Sequence, residues 1–422
     1  MDKNLLKTVL VEQLNAFSKR NSGIPRERLK KLKEARKSPH VVVISGLRRV
    51  GKSTLLRQMM DELSESKVYY VNFEDERLMD FTAKDADLLL EVLVELFGTR
   101  KILLLDEIQN IDGWERFVRR LTDAGYKFYL TGSNASLLSK ELGNKLTGRY
   151  ILVELFPFSF SEFLLLKGKK VDDYDKLTTE EFGEMKRLFG EYLLKGGIPE
   201  VLIYPKLDVL STLYNDVIYR DITARYKVDD VKALKELSFY LLSNVANPVS
   251  FNKLKELLKL GSVNTVKNYI DYLQSSWLFE VVNVYDYSVK KQQIASKKVY
   301  AIDSGLINFI GFKFSDNEGR LLENMVFWSL RRKYSNIYYY KTAFGKEVDF
   351  YLPEEQKLIQ VCLSLEDMGT KEREVAAIFS AMDELRVKDC MVLVKDLRYS
   401  EKIKFGGRVI LAVPLIKWLL EC

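Results

Sequence analysis

Gly46, Leu47, Arg48, Arg49, Val50, Gly51, Lys52 and Ser53, with Thr54 behind them, spell G-x-x-x-x-G-K-[ST] at every fixed position. Glycines at the turn let successive backbone N–H groups curl around a polyphosphate, and a following helix aims its N-terminus at the anion. Lys52 would bring a point charge to the β- and γ-phosphates, and Ser53 a hydroxyl to Mg²⁺. Farther on, four apolar residues from Ile102 deliver two carboxylates, Asp106 and Glu107. Asp106 would hold Mg²⁺ through its water shell, and Glu107 would polarise the water that attacks the γ-phosphorus. His40 is the lone histidine, and Cys362, Cys390 and Cys422 stand apart with no C-x-x-C. Those counts argue against a zinc site, a disulfide framework or a histidine-based triad, which leaves the work to carboxylates, lysines, arginines and metal.

These groups need a frame. Val41 to Ile44 is a short β-branched run that suits a buried parallel strand, and Leu55, Leu56, Met59 and Leu63 share one face of the helix after the loop. From residue 39 to 155 strand and helix alternate, which predicts a parallel sheet flanked by helices. The predicted strands are Val41 to Ser45, Val68 to Phe73, Ile102 to Asp106, Phe128 to Thr131 and Ile151 to Leu155. Both carboxylates then fall at the carboxyl edge, where ligands of such sheets sit. Ahead of this core, residues 1–38 read as two helices, Asn4 to Phe17 and Pro25 to Ala35.

At 422 residues the chain has room for about three domains, and 47% apolar residues describe a globular chain with ample core. No segment has the length of a membrane span or the flanks of a signal peptide, so the sequence reads as cytoplasmic. The net charge of +7 is concentrated between Lys19 and Lys37, where nine basic residues face Glu27 and Glu34. Such a block either attracts nucleic-acid phosphates or forms a solvated basic helix.

The adjacent Asp106-Glu107, with another strand between it and the helix behind the phosphate loop, resembles the additional-strand, catalytic-glutamate class of P-loop ATPases. That resemblance implies sheet order 5-1-4-3-2. Its AAA type places a polar sensor after the fourth strand, where Ser133 and Asn134 stand, either to orient the attacking water or to cap the next helix. An arginine finger in this resemblance would be Arg149, whose competing reading is a surface salt bridge. A finger acting in trans implies at least a homodimer.

Residues 156–228 read as mainly helical and look like the helical lid of an AAA ATPase. Residues 229–302 carry helices Val231 to Asn244 and Val263 to Ser275 around a capped segment at Ser250, then a hairpin from Leu278 to Val284 and Lys298 to Ile302. That is a winged-helix pattern. In its DNA-reading form Asn264, Thr265, Lys267 and Asn268 would meet bases, with Lys290, Lys291 and their neighbours Lys297 and Lys298 on phosphate. In its other form the module packs or binds protein.

Residues 303–422 run helix, three strands, helix, strand, an order that resembles the restriction-endonuclease-like fold. Glu323, Asp349 and Gln360 fall at the acid, aspartate and E/Q-x-K positions of that resemblance. Cys362 replaces its lysine, and a strand thiol supplies no fixed positive charge, so cleavage is not expected.

Together, Gly46 to Thr54, Leu104 to Gln109, Leu130 to Asn134, Gly148-Arg149, Gly196 to Pro199, Tyr300 to Leu306, Leu322 to Asn324 and Glu347 to Phe350 resemble a prokaryotic, largely archaeal, family. Its members are AAA-type ATPases with a winged helix and a C-terminal endonuclease-like domain. The resemblance covers nearly the whole chain and implies ATP and Mg²⁺ as ligands and cytoplasmic residence. It leaves three activities in view: an ATPase acting on DNA or a DNA-bound complex, an ATP-controlled switch that recruits a protein, and an ATP-regulated nuclease.

Overall fold

The computed structural model describes residues 1–133, 148–206, 208–312, 318–366, 368–405 and 408–421. The chain divides into two compact units: Met1–Phe156 with Ser275–Trp277, and Pro157–Gln274 with Leu278–Cys422.

The first unit is built on parallel strands β1 (Val41–Ser45), β2 (Val68–Asn72), β3 (Ile102–Asp106), β4 (Lys127–Gly132) and β5 (Tyr150–Glu154), in the order β2-β3-β4-β1-β5. This is the expected order, with strand ends shifted by a residue. β1 is buried along its whole length, as an apolar run covered on both faces must be. The register sets Leu105 beside Leu130, so the carboxyl ends of β3 and β4 finish side by side.

The N-terminal helix Lys3–Ser18 belongs to this unit and packs on β2 and on helix Ala86–Phe97. Gln13 bonds both the N–H and the C=O of Asn72, at 2.9 Å each, and so seals an open strand edge. Phe17 stacks on Tyr70 with ring centroids 3.6 Å apart. The second helix, expected from Pro25, begins at Leu29. The residues before it hold an irregular path because their polar groups are used: Gln58 accepts from the N–H of Arg26 and donates to the carbonyls of Ser22 and Ile24.

Among the described residues the second unit carries two sheets. An antiparallel one has β6 (Pro248–Val249), β7 (Phe279–Asn283) and β8 (Lys297–Ala301) in the order β6-β8-β7. A mixed one has β9 (Tyr338–Lys341), β10 (Glu347–Leu352), β11 (Lys357–Cys362), β12 (Asp389–Val394), β13 (Glu401–Phe405) and β14 (Arg408–Pro414) in the order β13-β14-β12-β11-β10-β9. β6, β13, β14 and the helix Leu415–Glu421 go beyond the sequence expectation. So does a short helix, Val289–Ile294, between the two strands of the expected hairpin.

The expected lid, residues 156–228, falls almost wholly in the second unit, with helices Phe160–Leu166 and Thr179–Lys195 and a π-helical stretch Asp216–Thr223. The expected boundary at residue 302 does not separate two bodies either. Asn324, on helix Glu318–Arg331, bonds the N–H and the C=O of Ala301 at 2.9 Å each, which fastens β8 to that helix. Asp303 accepts from the N–H groups of Gly197 (2.7 Å) and Gly305 (2.9 Å), so the Gly196-Gly197 and Asp303-Ser304-Gly305 stretches meet in space. A Cβ on Gly196 would lie 2.0 Å from Asp303 Oδ1, which explains the glycine.

Candidate nucleotide site

The phosphate loop leaves β1 at its carboxyl end and enters helix Lys52–Leu63 through Gly51, whose φ of +96° suits glycine. A Cβ on Gly46 would come within 2.2 Å of the Leu155 carbonyl oxygen, so the turn closes only around a bare Cα. A buried guanidinium braces the loop from behind: Arg26 donates to the carbonyls of Val50 (2.8 Å) and Phe156 (2.7 Å). Arg26 comes from the basic N-terminal block, and others of that block are also used internally. Lys31 donates to the Leu152 carbonyl and Lys33 pairs with Glu62. The block is therefore in part scaffold for the loop.

Lys52 is buried, and its Nζ donates to the carbonyls of Gly46 and Leu47 at 3.2 Å each. Those are neutral acceptors at the rim of the cradle, and the ammonium stays 3.8 Å from Glu107 Oε1. A phosphate oxygen is a stronger acceptor than either carbonyl, so these bonds are exchangeable.

Asp106 is fully buried and held by hydroxyls. Thr131 donates to Oδ1 and Tyr70 donates to Oδ2 at 3.2 Å. Burial and the charge of Glu107 raise its pKa, against the pull of Thr131, Ser53 and Lys52. Glu107 sits at a φ of +52°, which turns its side chain away from the strand line. It accepts from Ser133 Oγ at 2.7 Å and from Gln109 Nε2. Burial works against its charge, but Lys52, Gln109, Ser133 and Arg48 outweigh burial and lower its pKa. Glu107 is thus held ionised, as a water-polarising base must be.

The structure brings Gly46 to Thr54, Asp106, Glu107 and Ser133 to one edge of the sheet. Asn134 lies outside the described residues. Arg149 precedes β5 and therefore stands at the amino edge, opposite the loop, in an exposed ion pair with Asp123 at 2.8 Å. Within one chain that position keeps it from the phosphates. Sequence reasoning did not single out Tyr70, Gln109, Thr131 or Arg26. Thr131 could have been found once β4 was placed beside β3, because the register brings it level with Asp106.

Elsewhere, Asn264, Lys267 and Asn268 are exposed on helix Val263–Ser275, and Thr265 is half-buried with its N–H bonded to Ser262. Lys290 and Lys291 are exposed on the hairpin helix. Lys297 and Lys298, expected beside them on phosphate, instead point inward: both are buried, and Lys297 donates to the Gln292 carbonyl. Glu323 and Asp349 do converge, around Lys298. Gln360 lies next to Asp349, with its amide spent on the Asp349 N–H (3.0 Å) and on Glu374 (2.7 Å).

Comparison with known proteins bears on this geometry. A protein of Methanocaldococcus jannaschii, "Uncharacterized protein MJ1544", is 35% identical over 399 residues, covering 90% of this chain and 88% of the relative. The chain belongs to that family. A Haemophilus influenzae member is 30% identical and covers 93% of this chain and 97% of its own. Family models match an AAA domain over residues 38–164 and two domains of unknown function over residues 186–316 and 318–415. The AAA match encloses the cradle and both carboxylates. Among solved structures, the Walker-type ATPase PABY2304 of Pyrococcus abyssi is 17% identical at a TM-score of 0.42, over 67% of this chain and 94% of that one.

The first unit of this family member is thus an α/β P-loop nucleotide-binding fold. A nucleoside triphosphate fits its cradle: the loop is closed by Gly46, floored by helix amides and faced by a lysine whose bonds are exchangeable. Mg²⁺ fits Ser53 and Asp106, a hydroxyl and a carboxylate close enough for the serine to pull down the pKa of the acid. Among the described residues no helix is long and apolar enough to cross a membrane.

Proposed function

We propose that the chain is a Mg²⁺-dependent ATPase whose ATP binding and hydrolysis drive a rearrangement of DNA or of a DNA-associated complex. The observation that carries the hydrolytic part is the pairing of an exchangeable Lys52 with a Glu107 that Lys52, Gln109 and Ser133 together favour in its ionised form. Bound Mg²⁺ supplies neutralisation of charge on the β- and γ-phosphates. Lys52 would leave the Gly46 and Leu47 carbonyls for the triphosphate. Glu107, turned by its backbone and fixed by two donors, would accept a hydrogen bond from the attacking water and then its proton. Ser133 would keep that carboxylate aimed.

The DNA part rests on exposed Asn264, Lys267 and Asn268 on one helix and on Lys290 and Lys291 at the hairpin, read together as a winged helix. The test is phosphate release with Mg²⁺-ATP, measured with and without single-stranded, duplex and branched DNA over a salt series. DNA-stimulated turnover that weakens as salt rises supports the reading. Turnover indifferent to every DNA removes its second half.

One observation favours a second reading, an ATP-controlled switch that recruits a protein partner. The hairpin carries Tyr287, Val289 and Ile294, each more than 60% exposed, next to Lys290 and Lys291. An apolar tip of this kind suits a protein surface better than a phosphate backbone. Slow hydrolysis with nucleotide-dependent assembly, and no response to DNA, would select it.

A further inference from the structure

In the second unit, an ammonium sits where three carboxylates converge. Lys298 Nζ, on β8, lies 2.7 Å from Glu323 Oε1, 2.7 Å from Glu347 Oε1 and 3.4 Å from Asp349 Oδ1. Its side chain is 1% exposed. An ammonium has three N–H donors, and here three acids are within reach of them. Two further donors reach the acids: Tyr300 O–H donates to Glu323 Oε1, the oxygen that Lys298 also bonds, at 2.6 Å, and the Val361 N–H to Asp349 Oδ2 at 3.0 Å. The Tyr339 ring closes another side, its centroid 5.6 Å from Nζ.

Carboxylates are the hard oxygen donors that Mg²⁺ and Mn²⁺ prefer, but among the described residues no three acids are arranged to hold a metal, and here an ammonium stands between them. Glu323 and Asp349 are largely enclosed and Glu347 is partly open to solvent, and a single positive charge stands among the three. Burial and the charge of Glu323 push the Asp349 carboxyl well up, and burial raises Glu323 against the pull of Lys298. Burial alone would strip the proton from Lys298, but the three acids reverse that and raise its pKa. A lysine fixed to β8 is always at hand, so a free ion competes with a tethered one.

We propose that Lys298 is the resident cation of this cluster, standing where a divalent metal would otherwise bind and clamping β8 to helix Glu318–Arg331 and β10. The clamp replaces chemistry with cohesion. The cluster holds its own counter-ion, so its charge is met without a metal. This inference is independent of the nucleotide site, and its test needs no ATP.

The full chain without nucleotide is titrated with Mn²⁺, followed by electron paramagnetic resonance and thermal unfolding. For the wild-type protein, Asp349→Asn should leave Mn²⁺ binding unchanged. Lys298→Met should gain a Mn²⁺ bound at least ~10-fold more tightly than any on the wild type, with a metal-dependent rise in Tm. Both gains should vanish in Lys298→Met/Asp349→Asn. Wild-type Mn²⁺ binding that Asp349→Asn abolishes overturns the proposal, as does a folded Lys298→Met that takes up no more metal than the wild type. If Lys298→Met does not fold, Lys298→Met/Glu323→Gln/Asp349→Asn decides. Recovery of folding supports a counter-ion role, and continued failure contradicts it.

Discussion

Lys52 and Lys298 are both buried beside carboxylates, and they do opposite things. Lys52 stays 3.8 Å from Glu107 and bonds only neutral carbonyls, while hydroxyls of Thr131, Tyr70 and Ser133 satisfy the two acids beside it. Lys298 lies 2.7 Å from each of two carboxylates and within 3.4 Å of a third. The first arrangement holds the two charges in a long ion pair and leaves Lys52 with carbonyl bonds that a ligand can replace. The second has already cancelled its charges. Proximity of a lysine to acids therefore signals a site only when its bonds can be exchanged for those of a substrate.

The contrast can be broken in several places. The largest effect should follow Lys52→Ala, which removes the charge meant for the phosphates. ATP turnover should fall about 10³-fold, and the urea midpoint should move less than at Lys298, because Lys52 bonds two carbonyls and stands 3.8 Å from one carboxylate where Lys298 meets three. Lys298→Ala should behave in the reverse sense. Leaving buried acids without their partner should cost about 3–5 kcal/mol in urea unfolding, as for other broken buried pairs. Equal stability losses at the two lysines would erase the distinction.

Smaller changes sharpen it. Ser133→Ala should lower kcat about 10-fold with nucleotide affinity kept, because it frees a positioned carboxylate without discharging it. Single-turnover kinetics would show this, and an unchanged rate would remove Ser133 from the site. At Asp303, burial pushes the carboxyl up to about 6 against the N–H groups of Gly197 and Gly305. A raised carboxyl stabilises the fold while protonated, fully so below the usual carboxylate range, and that contribution is lost as pH rises through about 6. The Tm of wild type relative to Asp303→Asn should accordingly decline between about pH 4 and pH 7. The smallest effect belongs to Arg149→Ala, whose exposed pair with Asp123 is worth at most about 1 kcal/mol. Turnover that falls with this variant only at high protein concentration would point to a finger acting in trans.

The nucleotide site was legible in the sequence because its chemistry is local. Glycine spacing, a lysine, and an Asp-Glu pair after an apolar strand each follow from a few neighbouring residues, and the sheet order followed from them by resemblance. What was not legible depends on distant pairing. Arg26 reads as one more cation in a basic run, and only the fold shows its guanidinium behind Val50. Lys298 reads as a wing lysine because alternation in a two-residue period leaves its facing undecided at a hairpin end. The missing lysine of the E/Q-x-K position was sought along β11, where Cys362 stands, while the cation arrives from β8. Strand Glu401–Phe405 is hard to read from sequence because Glu401, Lys402 and Lys404 surround the buried Ile403, and so the stretch looks like a polar loop.

The account stands or falls on Glu107 being a base rather than a ligand for nucleotide. Glu107→Gln, compared with wild type by calorimetric titration of Mg²⁺-ATP and by phosphate release, separates the two roles. The expected result is unchanged heat of binding with turnover lowered about 10²- to 10⁴-fold. Turnover close to wild type in Glu107→Gln, or no heat of nucleotide binding in the wild-type protein, would contradict it.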